Sequence, residues 1–167
     1  ACGLTASLEL ELHRIAQRAA LEQAARQQGL PTPLLAAVAK QESRFSPTVR
    51  SPVGAVGLLQ LMPATASELA GAPLADADLE DPDRNAQLGA RYLRQLLSRW
   101  RGNPLLVAAS YNAGPGAVAA WLNPSLEREP ELWVEAIPYP ETRLYVKKVL
   151  GNVWSFQRQR RPQCAGG

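Results

Sequence analysis

Glu42 closes the run V-A-K-Q-E-S at residues 38–43. On a helix it shares a face with Val38 and Leu35, which puts an ionisable carboxyl group on an apolar stripe. Lost solvation there disfavours the charged form and raises the pKa. A carboxyl tuned this way can donate a proton at neutral pH, as protonation of a glycosidic oxygen requires. The same residue also has a plainer reading: a glutamate at a helix end that reaches water or pairs with Lys40, Arg44 or Arg50.

Glycoside hydrolysis normally uses a second carboxylate, roughly 5 Å away for retention and further for inversion. Glu68, Asp76, Asp78, Glu80, Asp81 and Asp83 lie in or beside an acidic, solvated stretch, and Glu135 sits beside apolar residues in W-V-E-A-I-P. Nothing in the sequence sets any of them opposite Glu42. Two further stretches suit a ligand cleft. S-P-V-G-A-V-G-L-L-Q-L-M-P (51–63) sets Gln60 among glycines and apolar residues, where its amide can serve sugar hydroxyls or bond to nearby backbone. S-Y-N-A-G-P-G (110–116) ends a helix with Tyr111 and Asn112, either as cleft groups or as a helix end with a core tyrosine. Neither stretch matches a phosphate-cradling loop. His13 is the sole histidine, which argues against a zinc site and a Ser-His-Asp triad.

The elements that must position these residues all read as helical. Residues 5–28 are rich in good helix formers, with Leu8, Leu12, Ile15 and Ala19 on one face and Gly29 as a stop. Thr32 caps the next helix, with Pro33 at its first position, and that helix runs to about Ser43. A proline-containing loop follows to Val53. Pro63 starts a short helix to Ala70, and residues 71–81 form an acidic loop. Asp81-Pro82 opens a helix to Arg101 whose stripe is Leu88, Tyr92, Leu96 and Trp100. Asn103-Pro104 repeats the device for a helix to Ala113. Residues 117–122 and 131–136 are short helices. Pro140 opens the last long helix, with Leu144, Val149 and Val153 buried. No stretch alternates with period two, so little or no sheet is expected. The fold class is mainly α: a compact, irregular multi-helix domain.

A chain of 167 residues suggests one domain with a real core. Its net charge of +3, with Lys147, Lys148, Arg158, Arg160 and Arg161 near the C-terminus, favours an anionic partner. Nucleic acid fits poorly, because interleaved aromatics and a basic groove pattern are missing. No apolar run approaches a membrane span. Without an initiator Met or a signal peptide, the chain reads as mature, trimmed or excised from something longer. Cys2 and Cys164 allow a disulfide joining the two ends, a lipidated Cys2, or two unrelated thiols.

Five stretches together resemble the soluble-type lytic transglycosylases of bacterial cell walls, whose catalytic domain has a goose-type lysozyme-like fold. They are A-K-Q-E-S-R-F-S-P (39–47), S-P-V-G-A-V-G-L-L-Q-L-M-P-A-T-A (51–66), D-P-D-R-N-A-Q-L-G-A-R-Y-L (81–93), A-S-Y-N-A-G-P-G-A-V-A-A-W-L (109–122) and V-E-A-I-P-Y-P-E-T-R-L-Y-V-K-K-V-L (134–150). The order and spacing make the match specific, while residues 1–30 carry little of it. The implied organisation is an N-terminal helix over 1–30, a catalytic domain over 31–157 and a basic tail over 158–167.

The resemblance implies that Glu42 is the single catalytic acid and base. It implies that Ser51, Gln60 and Met62 contact glycan, that Tyr111 and Asn112 line the site, and that Glu135 binds saccharide. The family lacks an essential second catalytic carboxylate, because the substrate's own C6 hydroxyl attacks to give a 1,6-anhydromuramyl end. No metal or cofactor is implied. The implied partner is peptidoglycan, the place periplasmic or otherwise extracytoplasmic, and the state monomeric, with membrane anchoring only if Cys2 carries lipid. Two departures, Ser110 for the family's alanine and L-L-Q-L-M for L-M-Q-I-M, are small in volume. The rival readings are a hydrolytic muramidase on the same fold and a wall-binding module without catalysis.

Overall fold

The computed structural model describes residues 15–158 except 127, so Cys2, Cys164, His13 and most of the basic tail lie outside the described residues. Nine α-helices run through it: α1 (Arg18–Gln28), α2 (Thr32–Ser43), α3 (Pro63–Ala70), α4 (Asp76–Glu80), α5 (Pro82–Arg99), α6 (Pro104–Ala113), α7 (Pro115–Ala120), α8 (Pro130–Glu135) and α9 (Pro140–Arg158). A short 3-10 turn covers Pro124–Leu126. Extended pairing among the described residues is limited to isolated bridges, Arg50 with Val56 and Val56 with Leu61. The expected mainly helical, nearly sheet-free class is what the molecule shows.

Proline sets most of the helix starts. It stands in the first turn of α2, α3, α5, α6, α7 and α8, where its missing N–H is no loss and its φ is already helical. Asp81 and Asn103 add side-chain caps to α5 and α6, accepting from Arg84 N and from Leu105 N. Four details differ from the sequence reading. Of the helix expected over 5–28, residues 5–14 lie outside the described residues, and the described part becomes helical only at Arg18, after a left-handed Gln17 (φ 54°). Pro31, not Thr32, flanks the start of α2 and offers no side-chain cap. The acidic loop contains α4, whose N-terminal carboxylates suit the helix dipole. Leu144 is exposed: the buried stripe of α9 is Thr142, Tyr145, Val146 and Val149, and Leu144 points away from it.

The main core lies where α9 and α1 pack against α2, with α5 and α6 closing it. Leu21, Leu35, Val38, Leu93, Val107, Val146 and Val149 are all essentially inaccessible, and each contributes roughly 2 kcal/mol by leaving water. A second, smaller core holds Val56, Leu61, Ala66, Leu69, Leu79 and Leu88 between residues 56–61, α3, α4 and α5.

Residues 55–61 pass between these cores as non-helical backbone that is nonetheless buried. Their N–H and C=O groups therefore need partners other than water. Asn85, fully buried on α5, supplies two and makes a third bond to the end of α4. Its Oδ1 accepts from Leu59 N at 2.8 Å, and its Nδ2 donates to Val56 O at 3.0 Å and Leu79 O at 2.8 Å. Gly57 sits beneath, at φ +80°, and a Cβ there would collide with the Leu79 carbonyl and the Asn85 amide. Asn85→Ala is expected to strand three buried backbone groups and to destabilise the fold by about 3 kcal/mol, read by urea unfolding. A loss below about 0.5 kcal/mol contradicts this account.

Candidate active site

α2 delivers Glu42 and then stops. Arg44 and Phe45 are both left-handed, at φ 51° and 67°, a strained pair for non-glycine residues. The chain tolerates it because the Phe45 ring is buried against Phe156 with ring centres 6.3 Å apart. Ser43 ties the same helix end to the buried loop: its hydroxyl donates to Leu58 O at 2.7 Å and lies 3.1 Å from Ala39 O. Glu42 is thus held on the last turn of a helix pinned on both sides.

The carboxyl group is half-buried, and its partner is not a cation. Tyr145 on α9 donates its hydroxyl to Glu42 Oε1 at 2.6 Å. Burial is the main influence and raises the Glu42 pKa from 4.5 to about 7; the Tyr145 hydrogen bond opposes the rise and the charge of Glu141 adds to it. The salt bridges open to it from the sequence are not made: Arg50 binds Asp76 at 2.7 Å and Glu80 at 2.8 Å instead.

Tyr111 on α6 joins the cluster. Its hydroxyl donates to Leu59 O at 2.9 Å, and its ring lies 5.4 Å from Tyr92. Burial, reinforced by the Glu42 charge, pushes both the Tyr111 and Tyr145 phenols well above their ordinary value, so both stay neutral donors. One residue on, Asn112 accepts from Thr142 Oγ1 at 2.7 Å. Thr142 lies one turn before Tyr145, so this bond fixes the α6–α9 seam that aims the Tyr145 hydroxyl.

The other expected residues fall differently. Gln60 is left-handed (φ 48°), and its Nε2 donates to Val49 O and Gly57 O, both at 3.0 Å. Its amide nitrogen thus closes the loop, the backbone-bonding reading. Ser51 also turns inward, its Oγ accepting from Ala55 N at 3.0 Å. Met62 is exposed. Glu135 is exposed and interacts with Lys147 and Arg143; the Lys147 hydrogen bond is the main reason its pKa lies below the ordinary value. Tyr145, Ser43 and Asn85 were not singled out from the sequence. Tyr145 carried the same signal as Glu42, a polar group on an apolar stripe. A cavity of about 530 Å3 lined by Trp100, Leu105, Leu106, Leu122, Leu126 and Trp133 includes none of the site residues.

One acid poised near neutrality, flanked by two neutral phenols, can protonate a leaving oxygen and later accept a proton. The sequence profile of the Transglycosylase SLT domain family matches residues 19–134. The chain belongs to that family. This SLT domain is 42% identical over 127 residues to the soluble lytic murein transglycosylase of Escherichia coli K12, a match covering 72% of the chain and 20% of that protein. It is 37% identical over 122 residues to the membrane-bound lytic murein transglycosylase F 2 of Alkalilimnicola ehrlichii, covering 68% and 26%. Among solved structures, it superposes on an inactive glutamate-to-glutamine mutant of the lytic transglycosylase Slt from Pseudomonas aeruginosa with a TM-score of 0.82 and 42% identity, covering 90% of this chain and 25% of that one. It superposes equally on a 70 kDa soluble lytic transglycosylase in complex with bulgecin A, with a TM-score of 0.83 and 35% identity, covering 90% of this chain and 25% of that one. The SLT domain thus spans about a fifth to a quarter of the length of these relatives.

Burying Glu42 has a stability consequence. Because its folded pKa is raised, the folded SLT domain keeps a proton that the unfolded chain loses above pH 4.5. The resulting penalty is absent below pH 4.5 and grows to its full size as pH rises through 7. Glu42→Gln removes the titration. Its stability relative to the parent is expected to improve by about 2 kcal/mol between pH 4 and pH 8, read by unfolding at both pH values. A constant difference contradicts the pKa shift. Tyr145→Phe removes the donor that favours the ionised form. The Glu42 pKa is then expected to rise further, by about one unit, in an NMR titration of its carboxyl carbon. An unchanged pKa contradicts the role given to Tyr145.

Proposed function

We propose that this chain cleaves the β-1,4 bond between N-acetylmuramic acid and N-acetylglucosamine in peptidoglycan without water, as a lytic transglycosylase. The observation that carries this reading is Glu42: a half-buried carboxyl at about pKa 7 whose direct partner is the Tyr145 hydroxyl. At neutral pH such a group is present in both forms, so one residue can act first as acid and then as base. Protonated Glu42 gives its proton to the glycosidic oxygen, and the bond to C1 of the muramic sugar breaks. The sugar's N-acetyl group stabilises the oxocarbenium-like centre. The carboxylate then takes the proton of the C6 hydroxyl, whose oxygen closes on C1 to give a 1,6-anhydro ring. The attack is intramolecular, which favours it over water. The names of the relatives, soluble and membrane-bound lytic murein transglycosylases, support the substrate class.

Each remaining site residue has a part in this reading. Tyr145 holds the carboxyl, Tyr111 and Asn112 fix the wall behind it, and Ser51 and Gln60 shape the loop that backs the cleft. Met62 and Glu135, both exposed, meet the glycan. Residues 31–157 form the catalytic unit, with α1 packed on its core and residues 158–167 as a basic tail. The site of action is extracytoplasmic. No described helix is long and apolar enough to cross a membrane, and membrane anchoring follows only if Cys2 carries lipid.

A hydrolytic muramidase would use a second carboxylate or a held water. Glu141 is the carboxylate whose charge reaches Glu42, and it is exposed. Mass spectrometry of digested peptidoglycan separates the readings. Anhydro-muramic ends, one water lighter than reducing ends, are expected. Reducing ends alone overturn the proposal. Glu42→Gln is expected to lower kcat at least about a thousandfold while glycan binding persists; retained turnover removes Glu42 from the role.

A further inference from the structure

The cavity of about 530 Å3 lies toward the opposite end of α6 from the Glu42, Tyr111 and Tyr145 cluster. Leu105 and Leu106, in its wall, open that helix, whereas Tyr111 and Asn112 close it. The positions from Leu105 to Tyr111 span about 9 Å along the helix axis. The cavity has the volume of a small-molecule site, and such sites are walled mainly by apolar and aromatic groups. Trp100 and Trp133 supply the aromatic walls here, and Leu122 stands at the mouth, 49% exposed.

Most polar atoms of the wall are already engaged inside the protein. Trp100 Nε1 donates to Ser110 Oγ at 2.7 Å, and Trp133 Nε1 donates to Trp121 O at 3.2 Å. Asn103 Oδ1 accepts from Leu105 N and Asn123 Oδ1 accepts from Ser125 N, both at 3.0 Å. The side-chain groups left to a ligand are donors: the amide nitrogens of Asn103 and Asn123 and the guanidinium groups of Arg99 and Arg101. The ion pairs among the described residues involve neither arginine. Arg99 lies 5.3 Å from the centre of the Trp100 ring, which holds its charge beside the apolar wall. Sugar hydroxyls call for acceptors as well as donors. Apolar walls with donors alone suit an apolar body that ends in an anion.

The surroundings carry the same sign of charge. Residues 84–126 hold five arginines, Arg84, Arg91, Arg94, Arg99 and Arg101, and no Asp or Glu. All five are exposed. Arg84, Arg91 and Arg94 share one face of α5, the helix whose C-terminal end borders the cavity. Glu129 and Glu131 flank Pro130 of the wall but do not line the cavity.

We propose that this cavity takes an acyl chain of an anionic glycerophospholipid, with the phosphate met by Arg99 and Arg101. The exposed arginines of α5 meet neighbouring headgroups, so the SLT domain docks on an anionic membrane surface. Burial of methylenes and attraction of basic residues to anionic headgroups are separate contributions, and firm attachment takes both. Docking of this kind is peripheral and reversible, and is distinct from anchoring through a lipidated Cys2. It does not rest on the glycan-cleaving reading.

The test is co-sedimentation of the whole chain with vesicles of pure phosphatidylcholine and with vesicles of phosphatidylcholine and phosphatidylglycerol in equal parts. Binding is expected to the anionic vesicles only. Reversing both guanidinium charges, Arg99→Glu with Arg101→Glu, is expected to lower the affinity at least about tenfold. Leu122→Gln leaves the charge unchanged and is expected to lower it about tenfold as well. All three positions are exposed, and thermal melting checks that each variant folds. A loss in the charge-reversed chain with none in Leu122→Gln means electrostatic adsorption alone and overturns the cavity assignment. Binding to neither vesicle, or equally to both, overturns the inference. Dihexanoyl phosphatidylglycerol, below its micellar concentration, is expected to shift the indole N–H signals of Trp100 and Trp133 in NMR spectra, and glycerophosphate, the headgroup without chains, is not. Equal shifts by the two mean a free-phosphate site and overturn the lipid assignment, as do shifts confined to the exposed Trp154.

Discussion

The structure depends on a stretch of loop backbone, residues 55–61, that is buried without being helix or strand. Burial removes water from its amides and carbonyls, and each must find a partner inside the protein. Some partners lie within the loop, and four groups are met from three separate helices: Ser43 of α2 meets Leu58 O, Asn85 of α5 meets Val56 O and Leu59 N, and Tyr111 of α6 meets Leu59 O. Satisfying one loop therefore fixes three helices relative to one another. The end of α2 that carries Glu42 is one of them, so the site's geometry follows from a hydrogen-bonding requirement as much as from apolar packing.

Glu42 is where this frame and the chemistry oppose each other. The frame encloses the carboxyl enough to bring its pKa to about 7, and an ionised group so placed weakens the fold. The Tyr145 hydrogen bond keeps the shift in a useful range. Stronger burial without the phenol would leave an acid that cannot act as base; a salt bridge would leave a carboxylate that cannot act as acid. Routing Arg50 to Asp76 and Glu80 keeps that guanidinium occupied elsewhere. A single acid near neutrality also agrees with a reaction in which the sugar supplies its own nucleophile.

Ser110 illustrates how one departure from the family pattern is accommodated. A hydroxyl at a fully buried position would be costly alone. Here it accepts from Trp100 Nε1 at 2.7 Å, and so anchors the end of α5 to α6. The substitution is small in volume, yet it carries a polar contact that the alanine of the pattern cannot make.

Much of the fold was legible because proline, glycine and capping residues act locally. Pro63, Pro82, Pro104 and Pro140 start helices at the expected places, and Gly29 ends one at φ 62°. The exceptions are not local in this sense, since a left-handed Gln17 and an outward Leu144 depend on packing that composition does not encode. Within the site, the sequence by itself determined that a carboxyl would sit on the apolar side of α2, because helical periodicity fixes which residues share a face. It also placed Tyr111 and Asn112 together at a helix end. Only the tertiary structure decided what Glu42 meets. Its partner Tyr145 is 103 positions away, and Gln60, read as a cleft amide or as a backbone ligand, settled its amide nitrogen on the backbone. Hydrogen bonds between distant residues depend on distances and angles that arise only when helices cross, and spacing along the chain carries no record of them.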